Sequence, residues 1–142
     1  MSDYWREHQD TYLIIIGGDG QLYDETLRWV KNSVAGENIV LIMSIENPMP
    51  ILKKCQLFIL SSLYEGLGLV LLEADTLNIP VVSCNITGPR GFMKKYNGTI
   101  VENSEKGILH AMYLYQEGKI PCMHVDYEQM NQENIRKCEE LM

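Results

Sequence analysis

Residues 57–75 read LFILSSLYEGLGLVLLEAD: a short apolar strand, a polar turn with two glycines and a largely apolar helix, in immediate succession. A strand passing through a tight turn into a helix is the unit from which α/β folds are built, so this stretch restricts the architecture more than any other. It also carries two glutamates eight positions apart, Glu65 in the turn and Glu73 in the helix, the latter between Leu72 and Ala74. Burying an unpaired charge is costly, and a carboxylate in such apolar company calls for a specific role.

The alternation extends in both directions. An amphipathic helix end over about Asp3 to Gln9, with Tyr4, Trp5 and His8 near one face, precedes the run Tyr12-Leu13-Ile14-Ile15-Ile16. That run is apolar at every position and predicts a strand covered on both faces, as in a parallel sheet. Gly17-Gly18-Asp19-Gly20 turns the chain into a helix over about Tyr23 to Val34, with Leu27, Val30 and Val34 as its inner face. A strand from Ile39 to Met43 follows; Asn47-Pro48 then opens a short helix whose apolar positions are Met49, Ile51, Leu52 and Cys55. After the central unit, Val81 to Ser83 is a fourth strand, CNITGPRG a loop leading to a basic helical turn, and Thr99 to Val101 a last strand. Glu105 to Gln116 forms a helix with Ile108, Leu109, Met112 and Tyr115 inward, and a polar tail from about Tyr127 folds back over the domain. The expected fold is α/β: a Rossmann-like, doubly wound parallel sheet in one domain spanning residues 1–142, with 126–142 as a C-terminal tail helix.

The formal net charge of −7 argues against a nucleic-acid partner, which needs a basic stripe, and against docking on an anionic bilayer. The closest basic groupings are only Lys53-Lys54 and Lys94-Lys95. Cys55, Cys84, Cys122 and Cys138 form no C-x-x-C pair, and three scattered histidines give no zinc-ligand pattern, so reduced thiols and no metal are expected. The first ten residues are polar, and no apolar run approaches the length of a membrane span. A cytoplasmic location is expected.

Three patches are candidates for chemistry. Gly17 and Gly18 follow a strand and precede a helix, where backbone can approach a phosphate, and Glu46 ends the next strand as a conceivable ribose ligand. The spacing is not G-x-G-x-x-G, and a tight turn needing positive φ is the better account. The turn carrying Ser61, Ser62, Glu65, Gly66 and Gly68 lies at the carboxyl end of a strand, where doubly wound sheets bind ligands. Amides of Leu69 and Val70 at the helix start suit a diphosphate, and Glu73 points back to accept hydroxyl hydrogen bonds. The plainer alternative makes Glu65 a cap and Glu73 an ion-pair partner of Arg90 or Lys94. In the third patch, Thr87-Gly88-Pro89-Arg90-Gly91, Arg90 either neutralises a phosphate or is a solvated arginine beside a Gly-Pro turn.

SSLYEGLGLVLLEADTLNIPVVSCNITGPRG resembles the donor-binding, C-terminal half of the GT-B retaining glycosyltransferases that use nucleotide sugars. Glu65 and Glu73 match that family's paired glutamates, and Gly66, Gly68 and Ala74 its pattern; Asn78 replaces a usual glycine before Ile79-Pro80. LIIIGGDGQL, NIVLI and NPMPILKKCQLFIL extend the likeness, and NPMPILKKC, SSLYEGLGLVLLEADTL and GPRGFM with the tail DYEQMNQENI resemble bacterial cell-wall glycopolymer or teichoic-acid enzymes. The resemblance implies that Glu65 holds hydroxyls of the transferred sugar, Glu73 the ribose, and the amides around Gly68, Leu69 and Val70 the diphosphate of a UDP-sugar or other nucleotide-sugar donor. Ser44 to Glu46 would lie beside the base, and no metal cofactor is implied. It further implies a truncated start: an extra central strand with an arginine–lysine loop, and an acceptor domain for a glycan or polyol-phosphate polymer, are absent, and Arg6 is the only cation among the first ten residues. Any attachment to the inner membrane would run through regions outside this chain. A non-catalytic module that binds a nucleotide or a partner glycosyltransferase half is the alternative.

Overall fold

The structure, a computed structural model, describes residues 2–17, 22–66 and 68–140. The chain forms two compact units, Met1–Pro48 and Met49–Met142. In the first, α1 (Ser2–Glu7) precedes β1 (Leu13–Ile16), α2 (Leu22–Asn32), a single 3₁₀ turn and β2 (Ile39–Ile42). β1 and β2 are parallel, with Leu13 opposite Ile39 and Ile16 opposite Ile42. Val30, Ala35 and Ile39 form the small core of this unit, with Trp5, Leu13 and Ile15 packed around it.

Two expectations for this unit are corrected. The apolar run of β1 is covered on one face only: Ile14 and Ile16, with Val40 of β2, remain exposed while Leu13 and Ile15 turn inward. Val34 is not on an inner helical face, since α2 ends at Asn32 and Val34 is 58% exposed. Ser33 and Gly36 close a turn there, and a Cβ on Gly36 would lie 2.5 Å from the Val30 carbonyl oxygen. Ala35, a smaller side chain, takes the inner position.

The second unit contains α3 (Met49–Leu52), β3 (Phe58–Leu60), α4 (Leu69–Thr76), β4 (Val81–Cys84), α5 (Thr87–Lys95), β5 (Thr99–Val101), α6 (Glu105–Gln116) and α7 (Tyr127–Glu139). β4 lies between β3 and β5, all parallel, and is buried along its whole length. Alternate residues feed two cores, as period-two side chains must. Leu60 and Val81 meet Leu71, Ala74 and Met93 of α4 and α5, while Val82, Cys84 and Val101 meet Ala111 of α6. Helices therefore cover both faces of this sheet. The α/β, Rossmann-like parallel arrangement is as expected; one continuous sheet is not. Among the described residues β1 pairs only with β2, and β3 only with β4.

TGPRG is the start of α5 and not a loop. A proline within the first helical turn loses no hydrogen bond, because the amide there has no intrahelical acceptor in any case. Asn78, where the family pattern has glycine, adopts φ +54° just past α4, a left-handed conformation that asparagine tolerates better than most residues. The tail does fold back. α7 starts at Asp126, whose carboxylate accepts from the Gln129 amide at 2.9 Å, and Glu133 pairs with Lys95 of α5.

α6 offers a direct test of how tightly this unit is built. Ser104 caps it by accepting from the Gly107 amide at 3.1 Å, and a Cβ on Gly107 would sit 2.0 Å from the Glu102 carbonyl oxygen. Ser104→Ala is expected to cost about 1 kcal/mol, the usual value of a cap. Gly107→Ala should cost more, because only backbone movement relieves its clash. Urea denaturation of the two variants checks that order.

Candidate functional site

The carboxyl ends of β3, β4 and β5 open on a pocket of about 300 Å³. Tyr64 and Glu65 line it from the loop after β3, Asn85, Thr87 and Gly88 from the segment after β4, and Asn103 from the loop after β5. This is the edge at which open parallel sheets bind ligands.

Backbone contacts decide the position of Glu65. A Cβ built on Gly88 would lie 1.9 Å from the Gly66 carbonyl oxygen and 2.2 Å from that of Glu65. The first turn of α5 thus packs directly on the loop after β3, and only glycine permits it. Glu65 is exposed, and its Oε1 accepts from the Gly66 amide at 3.1 Å. It caps no amide of α4 in the structure. The helix is started by Gly68, buried and left-handed at φ +67°, with no side-chain cap. A Cβ there would be strained by that φ and would meet Leu71 Cδ1 at 3.1 Å and Pro89 Cγ at 3.3 Å. The Leu71 amide donates to the Gly68 carbonyl at 2.8 Å, whereas the Leu69 and Val70 amides open the helix without intrahelical acceptors. Leu69 is 62% exposed and Val70 half-buried.

Glu73 lies in the body of α4, half-buried, and does not line the pocket. Among the described residues neither Glu73 nor Glu65 makes an ion pair, so the expected alternative of a bridge from Glu73 to Arg90 or Lys94 is not realised. Arg90 is exposed on α5. Gly17, Ser44 and Glu46 belong to the first unit, where they follow the carboxyl ends of β1 and β2 and are exposed. Gly17 extends the ladder, its amide donating to the Ile42 carbonyl at 3.1 Å, and has no positive φ. Gly17 therefore does not supply the positive φ expected of this turn; Gly18, Asp19 and Gly20 lie outside the described residues.

Asn85 and Asn103 were not singled out by the sequence, although each lies two residues past a strand end that it did locate. Applying the carboxyl-end rule to every strand, and not only to the glycine-bearing turn, finds both. Burial pushes the Cys84 thiol up, away from the thiolate a nucleophile needs. Among the described residues no three His, Cys, Asp or Glu side chains gather as metal ligands would, and no helix is long and apolar enough to cross a membrane. Chemically, the site combines a helix N-terminus suited to an anion with amides, a hydroxyl and a carboxylate suited to neutral hydroxyl groups.

Residues 1–115 match the family described as glycosyl transferases group 1. The chain is similar to an uncharacterized glycosyltransferase of Methanocaldococcus jannaschii, 38% identical over 54% of this chain and 19% of the relative. It is 28% identical to the UDP-Gal:alpha-D-GlcNAc-diphosphoundecaprenol alpha-1,3-galactosyltransferase of Escherichia coli, over 76% of this chain and 29% of that one. It is 31% identical to the poly(ribitol-phosphate) alpha-N-acetylglucosaminyltransferase of Staphylococcus aureus, over 62% of this chain and 18% of that one. The crystal structure of TarM superposes with a TM-score of 0.67 at 25% identity, covering 80% of this chain and 23% of TarM. The chain spans between about a fifth and a third of these relatives' lengths.

Gly88→Ala tests the packing that fixes the loop. The new methyl group is expected to displace the backbone of Glu65 and Gly66, lower the melting temperature and shift the amide resonances of Gly66, Gly68 and Leu69. Unchanged resonances there would show that α5 does not hold the loop.

Proposed function

The chain belongs to the glycosyl transferases group 1 family, with the Rossmann-like fold of the C-terminal half of a GT-B enzyme, and on that premise we propose that it binds the nucleotide-sugar donor of a retaining sugar transfer. One observation carries the proposal. The N-terminus of α4, begun by a left-handed glycine and free of any side-chain cap, sits at the carboxyl edge of the sheet next to the Glu65 pocket.

In this proposal the diphosphate lies on the Leu69 and Val70 amides. The transferred sugar enters the pocket, where Glu65, Asn85 and Asn103 offer acceptors and donors to its hydroxyls. Glu73 receives the ribose hydroxyls, and Arg90 faces a phosphate or the acceptor. Transfer is then positional and electrostatic: the donor is held while an acceptor hydroxyl attacks from the face the diphosphate leaves. The relatives' names, one a UDP-Gal-dependent galactosyltransferase and one a poly(ribitol-phosphate) N-acetylglucosaminyltransferase, favour a UDP-sugar as donor and a glycan or polyol-phosphate polymer as acceptor.

Magnitudes divide the labour. A helix terminus contributes about 0.3–1 kcal/mol to an exposed anion, whereas a single preorganised donor to a developing charge supplies about 2.7–4 kcal/mol. The α4 terminus is enough to orient a diphosphate and too little to expel one. We therefore assign acceptor binding and most of the leaving-group charge to a domain that completes the enzyme. A second proposal has an observation of its own: among the described residues, none of the side chains lining the pocket is cationic. A module that holds a nucleotide, or a partner glycosyltransferase half, without transferring sugar has no need of one.

Calorimetric titration separates these. UDP is expected to bind the wild-type chain, and Glu73→Ala to weaken it roughly ten- to a hundredfold, the usual worth of a hydrogen bond to a charged group. Glu65→Gln should leave UDP unaffected and weaken only the UDP-sugar. A wild-type chain that ignores both ligands sinks the donor site and leaves the partner-binding module.

A further inference from the structure

Asp75, two positions beyond Glu73 on α4, is only 6% exposed and is the one buried carboxylate among the described residues. Its Oδ2 accepts from the Val125 amide at 3.2 Å and from the Tyr127 phenol at 2.9 Å. The same phenol oxygen lies 3.0 Å from the Leu72 carbonyl oxygen, so α4 is gripped by both side chain and backbone. Both donors belong to the segment that enters α7. Burial, and then the hydrogen bond to Asp75, raise the Tyr127 phenol well above its ordinary value, so it remains a donor through neutral and mildly alkaline pH. Farther along α7, Glu133 pairs with Lys95 of α5. Oδ1 of Asp75 has no hydrogen-bond partner among the described residues, which makes this an expensive way merely to attach a tail.

What the grip provides follows from the composition of α4. Leu69, Val70, Leu71, Leu72 and Ala74 leave this helix apolar nearly all round, with no preferred hydrophobic side. Leu71 and Ala74 are the side chains of α4 that enter the core, but its other faces carry leucine and valine as well, so the sequence marks no single apolar stripe that would select this rotation by itself. A directional anchor adds that selection, and among the described residues Asp75 is the only one of α4 whose side chain hydrogen-bonds to a segment outside the helix. Each residue advances the helix by about 100°, so Glu73 and Asp75 project about 200° apart. Holding Asp75 towards Val125 and Tyr127 turns Glu73 towards the opposite side. We propose that Asp75, gripped by Val125 and Tyr127, is a positioning residue that sets the rotation of α4 and hence the direction of Glu73, making the C-terminal segment part of the donor site. This rests on the donor-binding proposal above.

Tyr127→Phe removes the phenol with little change of shape, and Asp75→Asn removes the charge at constant size; circular dichroism reports whether each folds. The probes are UDP, which would use both Glu73 and the α4 terminus, and inorganic pyrophosphate, which would use the terminus alone. Each variant is expected to weaken UDP about three- to tenfold and to leave pyrophosphate unchanged, and neither should add to the loss already caused by Glu73→Ala. Equal losses for UDP and pyrophosphate, or a loss that persists in the Glu73→Ala background, would reduce Asp75 to an ordinary structural tie and overturn the proposal. So would full UDP affinity in both variants. A wild-type chain that fails to bind UDP, or a Glu73→Ala variant that binds it fully, overturns the donor site itself and this role with it, a pattern recognisable without either strap variant.

Discussion

Where the first turn of α5 meets the carbonyl groups of Glu65 and Gly66, there is room for a hydrogen atom and nothing larger. The geometry of the site depends on that contact. It brings the segments after β3 and β4 together at one edge of the sheet, and it hands the chain to Gly68, whose left-handed backbone begins α4. Neither step uses a side-chain hydrogen bond between the two segments. This edge of the sheet is shaped by two glycines acting through what they lack, in keeping with the role glycine plays wherever backbones must approach closely. Side chains such as Glu65, Asn85 and Asn103 are then placed by elements that are already fixed.

Much of this was legible in the sequence because it rests on periodicity and punctuation. Residues 99–101 and 105–116 carry their patterns so plainly that the strand and helix begin and end where expected. The glycine turn before α4 announced itself as well. The misreadings have physical causes. Gly-Pro in TGPRG signals a turn, yet both residues are compatible with a helix start, and the reason for Gly88 is a neighbour far away in the chain. The apolar run of β1 predicted cover on both faces, and composition alone cannot say which element supplies the second face. Asp75 drew no notice because its partners, Val125 and Tyr127, lie 50 and 52 positions downstream, a distance over which spacing patterns carry no information.

The site also shows how weakly charge is concentrated in this chain. Its most strongly perturbed phenol and its buried carboxylate are at the far end of α4 from Gly68, whereas Glu65 at the pocket is exposed. Lys95 and Glu133, which raise and lower one another's acidity as an ion pair should, do so on the surface between α5 and α7. Salt screens such exposed pairs, and they contribute little. The Asp75 hydrogen bonds and the Lys95–Glu133 pair thus fasten the tail, while the pocket is lined by one exposed carboxylate, Glu65, among neutral side chains. That division suits a surface that holds a substrate better than one that drives a difficult bond cleavage.

The hydrogen bonds from Val125 and Tyr127 to Asp75 have a kinetic corollary. β3, β4 and β5 are consecutive strands, adjacent in the sheet and joined by α4 and α5, so their pairings span shorter stretches of chain than the grip on Asp75. The grip on Asp75 closes loops of 50 or more residues, and the entropy of doing so is recovered only once the sheet and its helices already exist. The order of events follows. The chain reaches the partners of Asp75 only after α4, β4, α5, β5 and α6, and in the proposal above it is this late segment that fixes the rotation of α4. During synthesis the same order is imposed by the ribosome, which releases Tyr127 only after the whole of α4 has emerged. The direction in which Glu73 points is thus among the last things this chain decides about itself.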